Sequence, residues 1–191
     1  MSRIIPGTTM KFTEQARESA FSMISPVLEA TGGLTLSQLS KLTGLNGTTI
    51  QNWIKRGWVS STKGKKYDKQ QLLRILLINM LRKSMKLVDI VDLMEYINGD
   101  VEDTSDDIVA EDLLFNILCR IIFKAEDEGA FIPEIVEKLV YEEVECYKDE
   151  IVDTDRLKKA MYVMIMAYRC GCLMDEVNNG MEVIKDEMQK A

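Results

Sequence analysis

Apolar positions recur every three or four residues along most of this chain, and strictly alternating runs are scarce, so the pattern predicts a mainly helical protein. Phe12, Ala16, Ala20, Phe21 and Ile24 mark one amphipathic leader helix over residues 12–25 that meets Pro26, and the Gly32-Gly33 pair closes the leader. Next comes LTLSQLSKLTGLNGTTIQNWIKRGWV, residues 34–59, which predicts two short helices joined by a turn. Thr35 with Gln38 forms a capping box, in which the hydroxyl meets a first-turn amide and the glutamine reaches back. Leu36, Leu39 and Leu42 make the apolar face of the first helix. Gly44 ends it, because glycine takes the left-handed conformation without steric cost. Leu45 plugs the turn, and Asn46 is expected to cap the second helix.

At about 100° per residue, Trp53, Ile54 and Gly57 fall on the same side of that second helix as Ile50 and are expected to face inward. Thr48, Gln51, Asn52, Lys55 and Arg56 fall on the opposite side. SSTKGKKY, residues 60–67, predicts a short β-hairpin wing turning at Gly64, with Lys63, Lys65 and Lys66 around the turn and Tyr67 at its end. Asp68 with Gln71 is a second capping box. It opens LLRILLINMLRK, whose apolar residues surround nearly the whole cylinder and predict a central buried helix. MKLVDIVDLMEYING adds another amphipathic helix, and NGDVEDTSDD, with five acids, reads as a linker. Four helical patterns follow, over 108–128, 133–148, 153–170 and 173–189, and suit a small bundle. The expected organisation is a leader (1–32), a basic module (33–100) and an acidic helical domain (101–191).

Charge sharpens that division. The 191-residue chain carries a formal net charge of −7, but residues 33–88 hold eleven Lys or Arg against one acid, Asp68. From Asp89 onward, 27 acids face ten Lys or Arg. A basic module next to an acidic one points to a polyanionic partner for the first and a different task for the second. The chain has no histidine, which excludes Ser-His and Cys-His nucleophilic pairs and His-ligated zinc. No Walker loop, GxGxxG or GxSxG occurs, so an enzyme is not expected, nor a cofactor. Met1–Gly7 lacks the start of a signal peptide, and the longest apolar stretch, Met161–Met174, is short and carries Arg169. A cytoplasmic protein with reduced thiols and no membrane association is therefore expected.

The amides, hydroxyl and cations on the outward face of the second helix are the groups that read base edges and bind phosphates. The expected contact residues on double-stranded DNA are Thr48, Gln51, Asn52, Lys55 and Arg56, with Lys63, Lys65, Lys66 and Tyr67 from the wing. This block resembles the winged helix-turn-helix of MerR-type regulators. Trp53 stands in the place of the family's second tyrosine, Gly57-Trp58 in that of its glycine-leucine, and Lys66-Tyr67-Asp68 at the wing's end. The family carries arginine at the places of Thr48 and Gln51 and tyrosine at that of Asn52, so part of its phosphate grip is replaced here. TIQNWIKRGWV also resembles the small excisionases of mobile elements, and residues 33–100 as a whole resemble a bacterial family known as domain-of-unknown-function family 1836. These resemblances imply a sequence-specific DNA-binding transcriptional regulator.

Two other readings compete with it: a protein-interaction adaptor that turns the same basic face to an acidic partner, and an excisionase-like architectural DNA binder. The acidic half would supply a homodimer contact or a small-molecule effector site. Cys170 and Cys172 form a CxC that a metal or redox sensor would use, although helix-borne cysteines are more commonly core residues. Glu142, Glu143 and Glu145, and Asp149 with Glu150, scatter around their helix and are expected to be solvated.

Overall fold

The computed structural model describes residues 3–62, 64–129 and 131–190. It is mainly helical, as the periodicity requires. Its helices are α1 (Glu14–Glu18), α2 (Ser25–Thr31), α3 (Leu36–Thr43), α4 (Gly47–Lys55), α5 (Lys69–Leu81), α6 (Leu87–Asn98), α7 (Glu111–Asp127), α8 (Pro133–Cys146) and α9 (Thr154–Lys190). Two-residue strands β1 (Leu34–Thr35) and β2 (Lys66–Tyr67) form the single small sheet among the described residues, antiparallel, with Leu34 opposite Tyr67 and Thr35 opposite Lys66. Among these residues no helix is long and apolar enough to cross a membrane.

The centre of the molecule is α5. Its residues from Gln71 to Ile78 are all buried, as its all-round apolar pattern predicts, and its Asp68–Gln71 capping box is formed on both sides. Around α5 pack α3, α6, α7 and α9. One continuous apolar core runs from Ile5 to Ala167 and takes in both the basic and the acidic segments. The acidic loop between α6 and α7 is fastened rather than free. Asn98 Nδ2 donates to the Val109 carbonyl at 2.7 Å, and Asn98 Oδ1 accepts from the Val109 amide at 3.3 Å.

The leader departs from its sequence pattern. Instead of one helix over 12–25, it forms α1, a 3-10 turn at Phe21–Met23 and α2. Pro26 lies in the first turn of α2, where its missing amide hydrogen is not needed, so it starts a helix rather than following one. The break has a tertiary cause. Asn116 of α7 accepts from the Phe21 amide at 2.9 Å and from Ser19 Oγ at 3.3 Å, which holds the chain where the helix would otherwise continue. Phe12 packs edge-on against Phe123 with ring centroids 4.7 Å apart, and Arg3 pairs with Glu126 and Asp127 at 2.5 and 2.7 Å. The leader thus covers α7, about a hundred positions away in sequence.

A second departure is α9. The periods expected over 153–170 and 173–189 fuse into one helix of 37 residues that passes through Gly171. A Cβ at Gly171 would lie 3.2 Å from the Lys83 Cβ, so the glycine marks a close approach to the end of α5 rather than a break. Met161 and Met164 are core residues, as their stripe suggests. Glu143, expected in solvent, is buried where it meets Lys124 and, at 3.5 Å, Arg120; neither partner is visible from its own helix.

Candidate nucleic-acid interface

The segment from β1 to α5 exposes polar and cationic side chains over an apolar support. Thr35 and Gln38 form the expected capping box of α3, with the Thr35 amide donating to Gln38 Oε1 at 2.8 Å and the Gln38 amide donating to Thr35 Oγ1 at 3.3 Å. Gly44 ends α3 at φ +72°, in the left-handed region. Thr9 of the leader supplies a cap no local pattern predicts. Its amide donates to the Leu42 carbonyl at 2.8 Å and its hydroxyl to that of Lys41 at 2.8 Å, satisfying carbonyls that a helix end leaves open. Asn79 of α5 donates to the carbonyls of Thr43 and Gly7, both at 2.9 Å, and fixes the turn against the central helix.

On α4, Ile50 and Trp53 are buried, Ile54 is half-buried, and Leu45 fills the turn, as the helical angles predict. Thr48, Gln51, Asn52, Lys55 and Arg56 are exposed together on the opposite face. Gly57 does not follow the expectation. It lies beyond the end of α4, at φ +74° and exposed, where the helical angle no longer applies. Asn46 occupies the N-cap position of α4, but its side chain makes no capping hydrogen bond. Arg56 stacks over the Trp58 ring, its guanidinium carbon 5.0 Å from the centroid, which holds an otherwise mobile cation beside α4.

The wing is built differently from the expected hairpin. No strand forms over residues 60–62; Lys66-Tyr67 pairs with Leu34-Thr35 at the start of the module instead. Gly33 makes that pairing possible, since a Cβ there would lie 2.8 Å from the Tyr67 carbonyl oxygen and its φ is +114°. The chain over residues 60–62 is held elsewhere: the Ser60 carbonyl accepts from Gln71 Nε2 at 2.9 Å, and the Ser61 amide donates to Glu102 at 3.1 Å. Tyr67 is consequently not a surface residue. It is 6% exposed, and burial raises the pKa of its hydroxyl, so it cannot serve as the contact residue expected from its place at the end of the wing. Lys65 is exposed; Lys66 is exposed too, but its ammonium donates to the Thr31 carbonyl at the end of α2. Lys63 lies outside the described residues.

The acidic half decides which cations remain available. Lys69 pairs with Asp112 at 2.7 Å, Lys83 pairs with Asp175, and Arg74 is buried 3.8 Å from Glu111. Lys41, Lys55, Arg56 and Lys65 have no ion-pair partner among the described residues. Lys41 is a further exposed cation, on α3; the period-3.6 pattern of α3 places it away from Leu39, and that was the signal for it.

Residues 23–115 match the model of the family described as Domain of unknown function (DUF1836). The match supports the resemblance to that family read over residues 33–100. It reaches back to the start of α2 and forward into the first turns of α7, so it contains the whole candidate surface and the Arg74–Glu111 pair. No curated protein and no solved structure matches the chain.

The thiols do not assemble a site. Cys170 and Cys172 lie on different faces of α9: Cys170 is exposed, while Cys172 is half-buried. Cys119 is buried in the core and Cys146 is exposed, and no cluster of three or more metal-ligating side chains occurs among the described residues. A cavity of about 310 Å³ lies between the turn after α3 and the middle of α9, bounded by Thr43, Asn79, Arg82, Tyr168 and Cys172.

Proposed function

We propose that this protein is a sequence-specific double-stranded DNA-binding regulator that inserts the exposed face of α4 into the major groove, with α3 and α4 acting as a helix-turn-helix. One observation carries the proposal. The acidic half pairs with Lys69, Arg74 and Lys83 of the basic segment, while Lys55 and Arg56, exposed beside Gln51 and Asn52, have no ion-pair partner among the described residues. An overall anionic molecule thereby keeps a local cationic face at the residues with base-reading chemistry. Gln51 and Asn52 suit bidentate pairing with adenine, Lys55 and Arg56 suit guanine or phosphate, and Thr48 suits phosphate. Lys65, from the loop that leads into β2, neutralises backbone phosphate next to the groove. An effector bound in the cavity beside Thr43 would touch the turn that sets the angle of α4.

Selection of bound fragments from a random-sequence duplex pool, followed by salt titration of the winning site, tests the reading. Gln51→Ala and Asn52→Ala are each expected to cost about 1–3 kcal/mol on the preferred site and to relax base preference at one position. A selected site that is unchanged in both variants would mean that another face reads the sequence. Lys65→Ala is expected to weaken every duplex alike and to lower the salt slope by about 0.9, one phosphate's worth. Binding without any selected sequence would favour the architectural role, and no binding at low salt would favour the adaptor.

A further inference from the structure

From its first turn to Gly171, α9 alternates buried and exposed residues against α5, α6, α7 and α8; beyond Asp175 every residue to Lys190 is exposed. An unsupported helix of that length is marginal in water, because tertiary packing of an apolar face normally supplies most of a helix's stability. The exposed stretch nevertheless carries an apolar face. Met174, Val177, Met181, Ile184 and Met188 follow one another at intervals of three and four, and are 50%, 58%, 46%, 48% and 74% exposed. That is the a/d spacing of a coiled-coil seam, which fits one thing well: another helix with the same spacing.

We infer that this seam is a dimerisation surface and that its partner is the same segment of a second copy of this chain. Charge placement argues for self-association. With Met174, Met181 and Met188 at a, the acids Asp175, Glu176, Glu182 and Asp186 fall at b, c and f, turned away from the partner. The flanking e and g positions hold Leu173, Asn178, Gly180, Lys185 and Glu187, which carry no net charge. A chain of net charge −7 can therefore meet its own copy along this line without facing acid to acid. Area argues for a reversible pair. Covering the seam and Leu173 on both tails removes roughly 1,000 Å² of accessible surface, the lower end for a specific interface. The partner contact is isologous, so assembly stops at two.

Sedimentation velocity of the full chain over the micromolar range, without DNA, tests this independently of the proposed DNA binding. Wild type is expected to pass from monomer to dimer with concentration. Met181→Glu and Ile184→Glu are each expected to raise the dimer dissociation constant at least about tenfold. Asp186→Asn, on the outer face, is expected to leave it unchanged. None of these positions touches the core, so all three variants should keep the wild-type unfolding midpoint when monomeric. A wild type that stays monomeric throughout overturns the inference, as does a dimer that persists in both seam variants.

Discussion

Trp53→Ala is expected to destabilise the entire protein by about 3–5 kcal/mol, the cost of truncating a buried aromatic. Trp53 is 2% exposed and lies on the inner face of α4; its carbonyl also accepts from the Trp58 amide at 3.0 Å, closing the chain after the helix. The same core continues from Trp53 through α5 to α7 and α9, so the loss is not confined to the basic segment. Denaturant unfolding followed both by tryptophan fluorescence and by far-ultraviolet circular dichroism should give one coincident transition at a lowered midpoint. If fluorescence is lost early while most of the helical signal persists, α3 and α4 unfold as a separate unit. Trp53→Phe, which keeps most of the apolar volume, should recover most of the loss.

The second large effect comes from Arg74 and Glu111, which join the basic and acidic segments in the interior. Arg74 Nε donates to the Trp58 carbonyl at 3.3 Å, and its guanidinium lies 3.8 Å from the Glu111 carboxylate. Burial pushes the Glu111 carboxyl up to about 7 from an ordinary 4.5, against the pull of Arg74 and with help from Asp107, Asp68 and Asp112. Burial likewise lowers the pKa of Arg74, partly offset by Glu111, Glu95 and Asp107. Desolvation thus outweighs the mutual attraction of the pair.

Between the unfolded and folded values of Glu111 the folded protein holds more protons than the unfolded chain, so stability falls as pH rises through that window. Asp107, raised to about 6 first by burial and then by Asp106, acts in the same direction over a lower range. Glu111→Gln is expected to match wild type near pH 5 and to be more stable above pH 7, by about 1–3 kcal/mol. Arg74→Met should do the reverse, leaving a buried carboxylate alone at a cost of about 3–5 kcal/mol above pH 7 and less at pH 5, where Glu111 takes up a proton. Urea midpoints of the three proteins between pH 4.5 and 8 decide the matter. A pH-independent gap between wild type and Glu111→Gln would show that Glu111 does not titrate in this window.

The candidate surface was legible where one element's own periodicity settles exposure. Thr48, Gln51, Asn52, Lys55 and Arg56 share a face because Ile50 and Trp53 must share the other, and both capping boxes form as read. Tyr67 was misassigned because an alternation of two residues says which side chains share a side, not which partner strand covers them. That partner is Leu34-Thr35, some thirty positions earlier. The break in the leader was hidden for a similar reason, since Asn116 of α7 holds it open. The continuity of α9 was masked by a glycine that reads as a stop but serves a close approach.

By itself the sequence determined the helical class, the central place of α5, the polar face of α4 and the charge division, because each follows from spacing within one element or from composition. The tertiary structure alone decided which cations are cancelled by distant acids, where β2 finds its strand, and how far α9 runs beyond the core. Those outcomes depend on contacts between residues far apart in the chain, and no local pattern encodes the identity of a distant partner.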